Sequence, residues 1–287
     1  EPTTSGSIDR SFLTLPPVLF MKVFKSNLET VGKKYEQFQK TDAPDVALVK
    51  AFEQGFEALP FLSKVLGPYV PRPNWTIRWD GIEKLVGLGS LMERLSLEHN
   101  YSSNFRRDFR SYPGKGQRTD AERMSYGFSP LAGVNMTFKQ VLKGSLSGNF
   151  RYNTTTNYDL NLAAQQPNIV SALAQEISFT LNYARRGFSF PLFGLNLSND
   201  IEVSFTYSRT KSSRRRYDPT LLSSDQEGIP LEGNIRTVLE PRIRYVLSSR
   251  VTAALYYRYT KTAPDAAGST IYGVTTNEAG VDIHISI

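Results

Sequence analysis

From about residue 73 onward, apolar and polar side chains alternate with a period of two, which is typical of strands with two chemically different faces. The alternation recurs in nine segments, whose apolar positions are Trp75, Ile77 and Trp79; Leu95, Leu97 and Tyr101; Val134, Met136 and Phe138; Leu146, Phe150 and Tyr152; Ile177, Phe179, Leu181 and Tyr183; Ile201, Val203, Phe205 and Tyr207; Leu239, Ile243, Tyr245 and Leu247; Val251, Leu255, Tyr257 and Tyr259; and Val281, Ile283, Ile285 and Ile287. A tenth strand around 11–22 is a weaker prediction, because Pro16 and Pro17 remove two ladder donors. The pattern predicts an all-β chain of about nine or ten antiparallel strands.

The connections between these segments alternate in length. The segments 105–123, 159–174, 213–234 and 263–277 are long and polar, 187–199 is of medium length, and 139–144 and 248–250 are short. Several segments alternate over about ten residues, near the ~9–11 that a tilted strand needs to cross a bilayer. Long loops at one end and short turns at the other indicate an up-and-down transmembrane barrel with its short turns on the periplasmic side.

Tyrosine and tryptophan lie toward several predicted strand ends, as in the aromatic girdle of a membrane protein. We expect the lipid-facing or girdle positions to include Tyr152, Tyr183, Phe205, Tyr207, Tyr257 and Tyr259. The opposite face would line an aqueous lumen, with Arg151, Glu202, Glu240, Arg242, Arg244 and Arg258 as candidates. Two alternatives stay open: these charges pair across strands and set the register, or the apolar face is the core of a soluble sandwich.

Residues 23–70 differ from the rest, because their apolar residues recur at helical spacing. One helix is predicted over roughly 26–40, and a second begins near Asp45 and ends before Pro60. The chain therefore divides into an N-terminal segment 1–22, a helical insertion 23–70 and strands over 71–287. The helices could cover an edge, fill a lumen, dock a partner or pack as a simple amphipathic pair.

Composition limits the chemistry that the 287-residue chain can perform. It has no cysteine, and its two histidines, His99 and His284, have no nucleophile motif beside them. A mean hydropathy of −0.34 and the lack of any run of about 20 apolar residues exclude a bundle of membrane helices. We expect no enzymatic activity, no metal and no cofactor.

The segment Pro71-Arg72-Pro73-Asn74-Trp75, continuing to Trp79, Asp80 and Gly81, resembles a PRPNW motif near the end of the SprA/Sov family, the outer-membrane translocon of type IX secretion. Four further segments are similar to that family in the same order: LSLEHNYS at 95–102, NTTTNYDL at 153–160, PLFGLNLSND at 191–200 and LSSRVTAALYYRY at 247–259. The last 13 residues, TTNEAGVDIHISI at 275–287, are similar to the family's C-terminal strand.

This resemblance implies the C-terminal part of a large channel that exports folded cargo carrying a C-terminal sorting domain. It also implies the outer membrane of a Gram-negative, Bacteroidota-like bacterium, and as partners the rest of the translocon, a plug protein and a PorV-type barrel. Val281, Ile283, Ile285 and Ile287 resemble the signal strand that the barrel-assembly machinery binds, although Ile287 stands where an aromatic residue is common. The alternative is a self-contained ten-stranded barrel acting as a small-solute pore or adhesin.

Net charge is +7, with local clusters at Arg106, Arg107 and Arg110 and at Arg214 to Arg216. Both clusters fall in predicted extracellular loops, where they could bind lipopolysaccharide phosphates or simply be solvated. Nucleic acid is not an expected partner, because the aromatic residues alternate with other apolar residues rather than with basic ones.

Overall fold

The computed structural model describes residues 4–14, 27–56, 73–114, 116–162, 167–192, 195–224, 228–266 and 272–286. Its strands are β1 Thr4–Arg10, β2 Trp75–Asp80, β3 Met92–Tyr112, β4 Gly116–Phe138, β5 Ser145–Asn161, β6 Asn168–Leu192, β7 Leu195–Tyr217, β8 Ile229–Val246, β9 Val251–Pro264 and β10 Val274–Ile285. Its described helices are α1 Asn27–Phe38, α2 Pro44–Phe56, the single turn α3 Ile82–Leu85, and a 3₁₀ helix at Pro219–Ser224.

All ten strands form one antiparallel sheet, and from β3 to β10 each strand pairs with the next one along the chain. The strands β1 and β2 lie end to end along the free edge of β3, opposite Phe105–Ser111 and Ser96–Tyr101 respectively. The predicted all-β, up-and-down arrangement is confirmed. Within the described residues the sheet does not close, because β10 pairs with β9 alone.

From β3 to β10 the strands are longer than the alternation predicted, ranging from 12 residues in β10 to 25 in β6. Residues 105–112 and 116–123 are strand rather than loop, and so are 213–217, 187–192 and 195–199. The predicted long loops were therefore largely wrong. Polar residues on both faces of a strand hide its periodicity, and these segments gain their β structure from pairing with neighbours.

Cross-strand register assigns each side chain to one of two faces. Leu181, Phe179 and Ile177 of β6 lie opposite Phe205, Tyr207 and Arg209 of β7, and the same rows continue across β8 and β9. We call this side the apolar face and the side containing Ser178 and Glu202 the polar face. Because successive residues of a strand point to opposite sides, the register carries the two faces from β1 to β10.

Helices α1 and α2 pack together on the apolar face, toward the end of the sheet where β3 meets β4. We call this end the upper end of the sheet, and 'above' means toward it along the strands. Residues Leu48, Phe52 and Phe56 of α2 join a buried cluster with strand residues Phe105 and Met124. The ring of Phe56 lies 4.7 Å from that of Tyr158 on β5. We call α1 and α2 the helical layer; both helices fall within the predicted insertion 23–70.

The N-terminal part of the chain differs in detail from its prediction. Its strand is Thr4–Arg10, ahead of the expected 11–22, and Pro16 and Pro17 lie outside the described residues. Helix α2 begins at Pro44, with Asp45 in its first turn, while Pro60 is also outside the described residues.

Candidate functional site

An apolar band crosses the apolar face from β5 to β10, with four successive positions on each strand. Its members are Leu146, Gly148, Phe150 and Tyr152 on β5; Ile177, Phe179, Leu181 and Tyr183 on β6; Ile201, Val203, Phe205 and Tyr207 on β7; Leu239, Pro241, Ile243 and Tyr245 on β8; Ala253, Leu255, Tyr257 and Tyr259 on β9; and Ala279, Val281, Ile283 and Ile285 on β10. Leu255 and Val281 are 54% and 64% exposed. The helical layer leaves this band uncovered.

The band is shifted by two residues relative to the rows of paired residues at two of its five strand junctions, β6–β7 and β9–β10. At the other three junctions its uppermost residues are paired with each other. Ile177, the uppermost band residue of β6, lies opposite Arg209, which is already above the band on β7. Likewise Tyr259, uppermost on β9, lies opposite Asn277, which is above the band on β10. A level belt on tilted strands must shift in register from one strand to the next, and barrel strands are tilted by about 35–45°.

Tyrosines mark the limits of the band. Tyr152, Tyr207 and Tyr259 are its uppermost residues on β5, β7 and β9, and Tyr183 is its lowest residue on β6. The prediction that aromatic residues lie near strand ends was wrong for the tyrosines, because β5, β6, β7 and β9 continue past them, whereas Trp75 and Trp79 do lie at the two ends of β2. All six predicted lipid-facing or girdle residues, Phe205 and Tyr257 included, nevertheless share the apolar face.

The PRPNW segment and its continuation to Gly81 contain β2, which extends the apolar surface beyond β3. Ile77 and Trp79 are both more than half exposed, whereas Trp75 stacks on Tyr101 with ring centroids 4.3 Å apart. The Asn74 side-chain oxygen accepts a hydrogen bond from the Ser103 backbone N–H at 3.0 Å.

The same motif ends in a charged turn beside β3. Asp80 pairs with Arg94 at 3.2 Å and with Arg78 at 3.3 Å, and Gly81 has a φ of 86°. Of the remaining motif residues, Pro73 precedes the strand, and Pro71 and Arg72 lie outside the described residues. The motif therefore positions the edge of the sheet at β2.

The polar face carries ion pairs between strands. All six predicted lumen-facing residues lie on it, and each pairs with an opposite charge: Arg151 with Glu98 at 3.5 Å, Arg244 with Glu202 at 3.0 Å, Arg258 with Glu240 at 2.8 Å, and Arg242 with Asp282 at 3.1 Å. Exposed pairs of this kind contribute only about 0.2–1 kcal/mol each. Their geometry agrees with the alternative role of setting register.

The two arginine clusters lie in strands, so their assignment to loops was wrong. Arg106 pairs with Asp108 within β3, and Arg110 pairs with Asp120 across the β3–β4 hairpin. On β7, Arg214 pairs with Glu232 at 3.3 Å. Arg215 and Arg216 follow on the same strand. Arg106, Arg110 and Arg214 already have carboxylate neighbours, which weakens the case for lipopolysaccharide binding by these three.

The sequence did not predict a cluster of charged side chains that lies between the helical layer and the sheet. Glu53 of α2 contacts Arg10 of β1 at 3.0 Å and Arg107 of β3 at 2.7 Å, and Arg107 contacts Glu122 of β4 at 2.6 Å. Burial raises the pKa of the Glu122 carboxyl to about 8, against the opposing attraction of Arg107. No sequence signal identifies this cluster, because its members come from four separate elements.

Strand β10 forms an exposed edge of the sheet. Val281, Ile283 and Ile285 lie on its apolar face and are each more than 60% exposed, while Ile287 is outside the described residues. The Ser286 N–H donates to the Arg250 carbonyl at 2.8 Å. Because ladder bonds of an antiparallel pair alternate along a strand, the N–H groups of Val281 and Ile283 point to the open edge.

Both histidines belong to the sheet. His99 lies on the apolar face of β3, with Nδ1 2.7 Å from the Leu131 carbonyl oxygen. His284 is exposed on β10, and its Nε2 lies 3.5 Å from Ser286 Oγ. Among the described residues, no group of three or more His, Asp or Glu side chains is arranged to hold a metal ion.

The geometry defines an open antiparallel sheet with one exposed apolar face and one ion-paired polar face. No protein-family model and no curated protein matches the sequence. None of the helices in the described part of the chain has both the length and the apolar character needed to span a membrane.

Proposed function

We propose that this chain is a wall segment of a large outer-membrane channel that conducts folded proteins. The observation that supports it best is the exposed apolar band on one face of a sheet whose other face is ion-paired and whose two edges are unpaired among the described residues. In this proposal the band faces lipid, the polar face lines water, and the chain performs no chemistry of its own.

The size and exposure of the band favour lipid as its environment. Four alternating positions extend over ~20 Å of strand at about 3.3 Å per residue. Monomeric soluble proteins rarely expose contiguous apolar patches above a few hundred Å². In a soluble sandwich a second layer would cover the band, but no band residue belongs to the buried cluster that contains α1 and α2, and the strand residues of that cluster lie above the band.

The polar face suits a hydrated lumen. Arg242, Arg244 and Arg258 are about half exposed and paired with carboxylates. Facing lipid at the midplane, each arginine would cost about 2–4 kcal/mol. A broad wall of paired charges, instead of a narrow ring of one sign, suits the passage of a bulky cargo.

The open edges imply that other strands complete the wall. An unpaired backbone group inside a membrane costs several kcal/mol, so a sheet edge there must be covered. The free edges of β10 and of β1 and β2 would pair with strands of the remaining translocon. A self-contained ten-stranded barrel, the second candidate, would instead require β10 to pair with β1 or β2.

The resemblance of the PRPNW segment and of the C-terminal strand extends the proposal to type IX secretion. The cargo would carry a C-terminal sorting domain, and the partners would be a plug protein, a PorV-type barrel and, during insertion, the barrel-assembly machinery. Disrupting the gene in its own organism should stop secretion of such cargo while other outer-membrane proteins remain. Unchanged secretion would rule out this part of the proposal.

Two further measurements test the membrane wall. The protein should require detergent for extraction and change electrophoretic mobility on boiling; recovery in the soluble fraction with equal mobility would contradict the membrane assignment. The chain alone in liposomes should give no stable conductance. A steady narrow pore formed by residues 1–287 alone would favour the self-contained barrel.

A further inference from the structure

Two cations lie directly above the apolar band and have no acidic partner among the residues that the structure describes. Arg209 of β7 is opposite Thr237 of β8, and Thr237 is opposite Lys261 of β9, so the three residues share one row of the apolar face. Both cationic side chains are exposed. Two strand spacings of ~4.8 Å separate their backbones by about 10 Å, within joint reach of a single anion.

The surroundings of this pair are neutral. The row continues to Ile177 on one side and Thr275 on the other, and within the described residues neither Arg209 nor Lys261 takes part in an ion pair. Lys211, one row higher, differs because it pairs with Asp265 at 2.7 Å. Four arginines of the polar face are also paired: Arg151, Arg242, Arg244 and Arg258. Within the described part of the chain, no carboxylate therefore serves as counter-ion for Arg209 or Lys261.

The position of the pair indicates which anion this is. Tyr207 and Tyr259 occupy the next apolar-face positions below Arg209 and Lys261, and the apolar band begins with them. Long cationic side chains keep their methylene stems on apolar surface while the charge reaches polar surroundings. Arginine also matches phosphate oxygens with two parallel hydrogen bonds. A phosphate attached to acyl chains satisfies both the cations and the band.

We propose that Arg209 and Lys261 form a binding site for the phosphate of an anionic membrane lipid whose acyl chains lie on the apolar band. This inference rests on the proposed function, because it places the apolar face in lipid. It differs from the expectation for the two arginine clusters, whose members mostly have carboxylate partners. The sequence signal is a cation on the apolar register, two residues beyond a tyrosine.

Arg236 provides a matched control. It neighbours Thr237 on β8 but lies on the polar face, opposite Thr210 and Thr262, and it is exposed. Within the described residues it likewise has no carboxylate partner. Arg236→Gln removes the same charge at the same height of the sheet, so it separates a lipid contact from a general effect of net charge.

The experiment measures association of spin-labelled lipids with the protein in its native membrane assembly. Labelled phosphatidylglycerol should associate several-fold more strongly than labelled phosphatidylcholine, and 1 M salt should reduce this preference because it shortens the screening length to about 3 Å. The Arg209→Gln/Lys261→Gln double variant should abolish the preference, while Arg236→Gln should retain it. Lipid A should compete with the labelled phosphatidylglycerol, and millimolar inorganic phosphate should not.

Each contrary outcome has a distinct meaning. An unchanged preference in the double variant, an equal loss in Arg236→Gln, or effective competition by inorganic phosphate would overturn the lipid site. Equal immobilisation of both labelled lipids by the wild-type protein would also overturn it, while leaving the membrane wall intact. If the wild-type protein immobilises neither lipid, the membrane assignment itself fails.

Discussion

Arg107 and Glu122 face each other on adjacent strands, with Nε 2.6 Å from Oε1, and the Glu122 side chain is completely buried. Arg107 also contacts Glu53 of α2 at 2.7 Å. The pair thus connects the sheet to the helical layer. Glu122 lies opposite Leu160, which lies opposite Ile169 of β6. Ile169 is eight residues above Ile177, the uppermost band residue of that strand. The Arg107–Glu122 pair therefore lies outside the proposed membrane span.

This burial predicts a pH-dependent stability. Because the pKa of Glu122 is raised from 4.5 to about 8, the folded protein retains a proton that the unfolded chain releases between these values. Stability should therefore fall as pH rises from about 4.5 to about 8. Glu122→Gln should flatten this decline and exceed the wild type in stability above pH 8. Unfolding temperatures in detergent between pH 5 and pH 9 measure it.

The exposed Glu232, paired with Arg214, supplies the control for that experiment. Glu232→Gln should leave the pH dependence of the unfolding temperature as it is in the wild type. Parallel curves for wild type and Glu122→Gln would contradict the role of Glu122.

The helical layer should depend on Phe52. Its side chain is fully buried in α2 and contacts Phe56 with ring centroids 5.2 Å apart. Phe52→Ala should destabilise the layer by about 3–5 kcal/mol through lost burial and a cavity. Hydrogen exchange of α1 and α2 should accelerate accordingly. Val46→Ala, at an exposed position of the same helix, should stay within about 0.5 kcal/mol of the wild type.

The two faces should respond oppositely to a new charge. Phe205→Arg places a cation in the apolar band, at a cost of about 2–4 kcal/mol near the bilayer midplane, whereas Ser204→Arg places it on the polar face. We expect the amount of heat-modifiable protein in the outer membrane to fall sharply for Phe205→Arg alone. Equal tolerance of both substitutions would count against lipid contact.

The edge of β10 should be needed for completing the wall. Val281→Pro removes an N–H that points to the open edge and leaves the ladder bonds to β9 in place. This variant should lose its association with the rest of the channel, measured by co-purification of the boiling-sensitive complex. Val281→Ala keeps the N–H and should retain the association. If the proline variant still co-purifies, the β10 edge is not the pairing site.

Much of the fold could be predicted because a period of two reports which side of a strand each residue occupies. The shared face of Tyr207 and Tyr259 and the opposite face of Glu240 and Arg258 follow from this period alone. The extent of the strands could not be predicted, since charged or polar residues such as Arg107 and Ser111 interrupt the apolar register beside Arg106 and Arg110, and the segment resembles a loop. Their β structure comes from pairing with a neighbouring strand.

By itself, the sequence determined that the chain forms antiparallel strands with an apolar and a polar face, and that a helical insertion interrupts them near the N-terminus. Only the tertiary structure decided that the helical layer lies on the apolar face above the band, that Glu53 reaches Arg107 across 54 positions of the chain, and that Arg209 and Lys261 share one row. Alternation is a local property of each strand, whereas register and layer packing arise from contacts between distant segments.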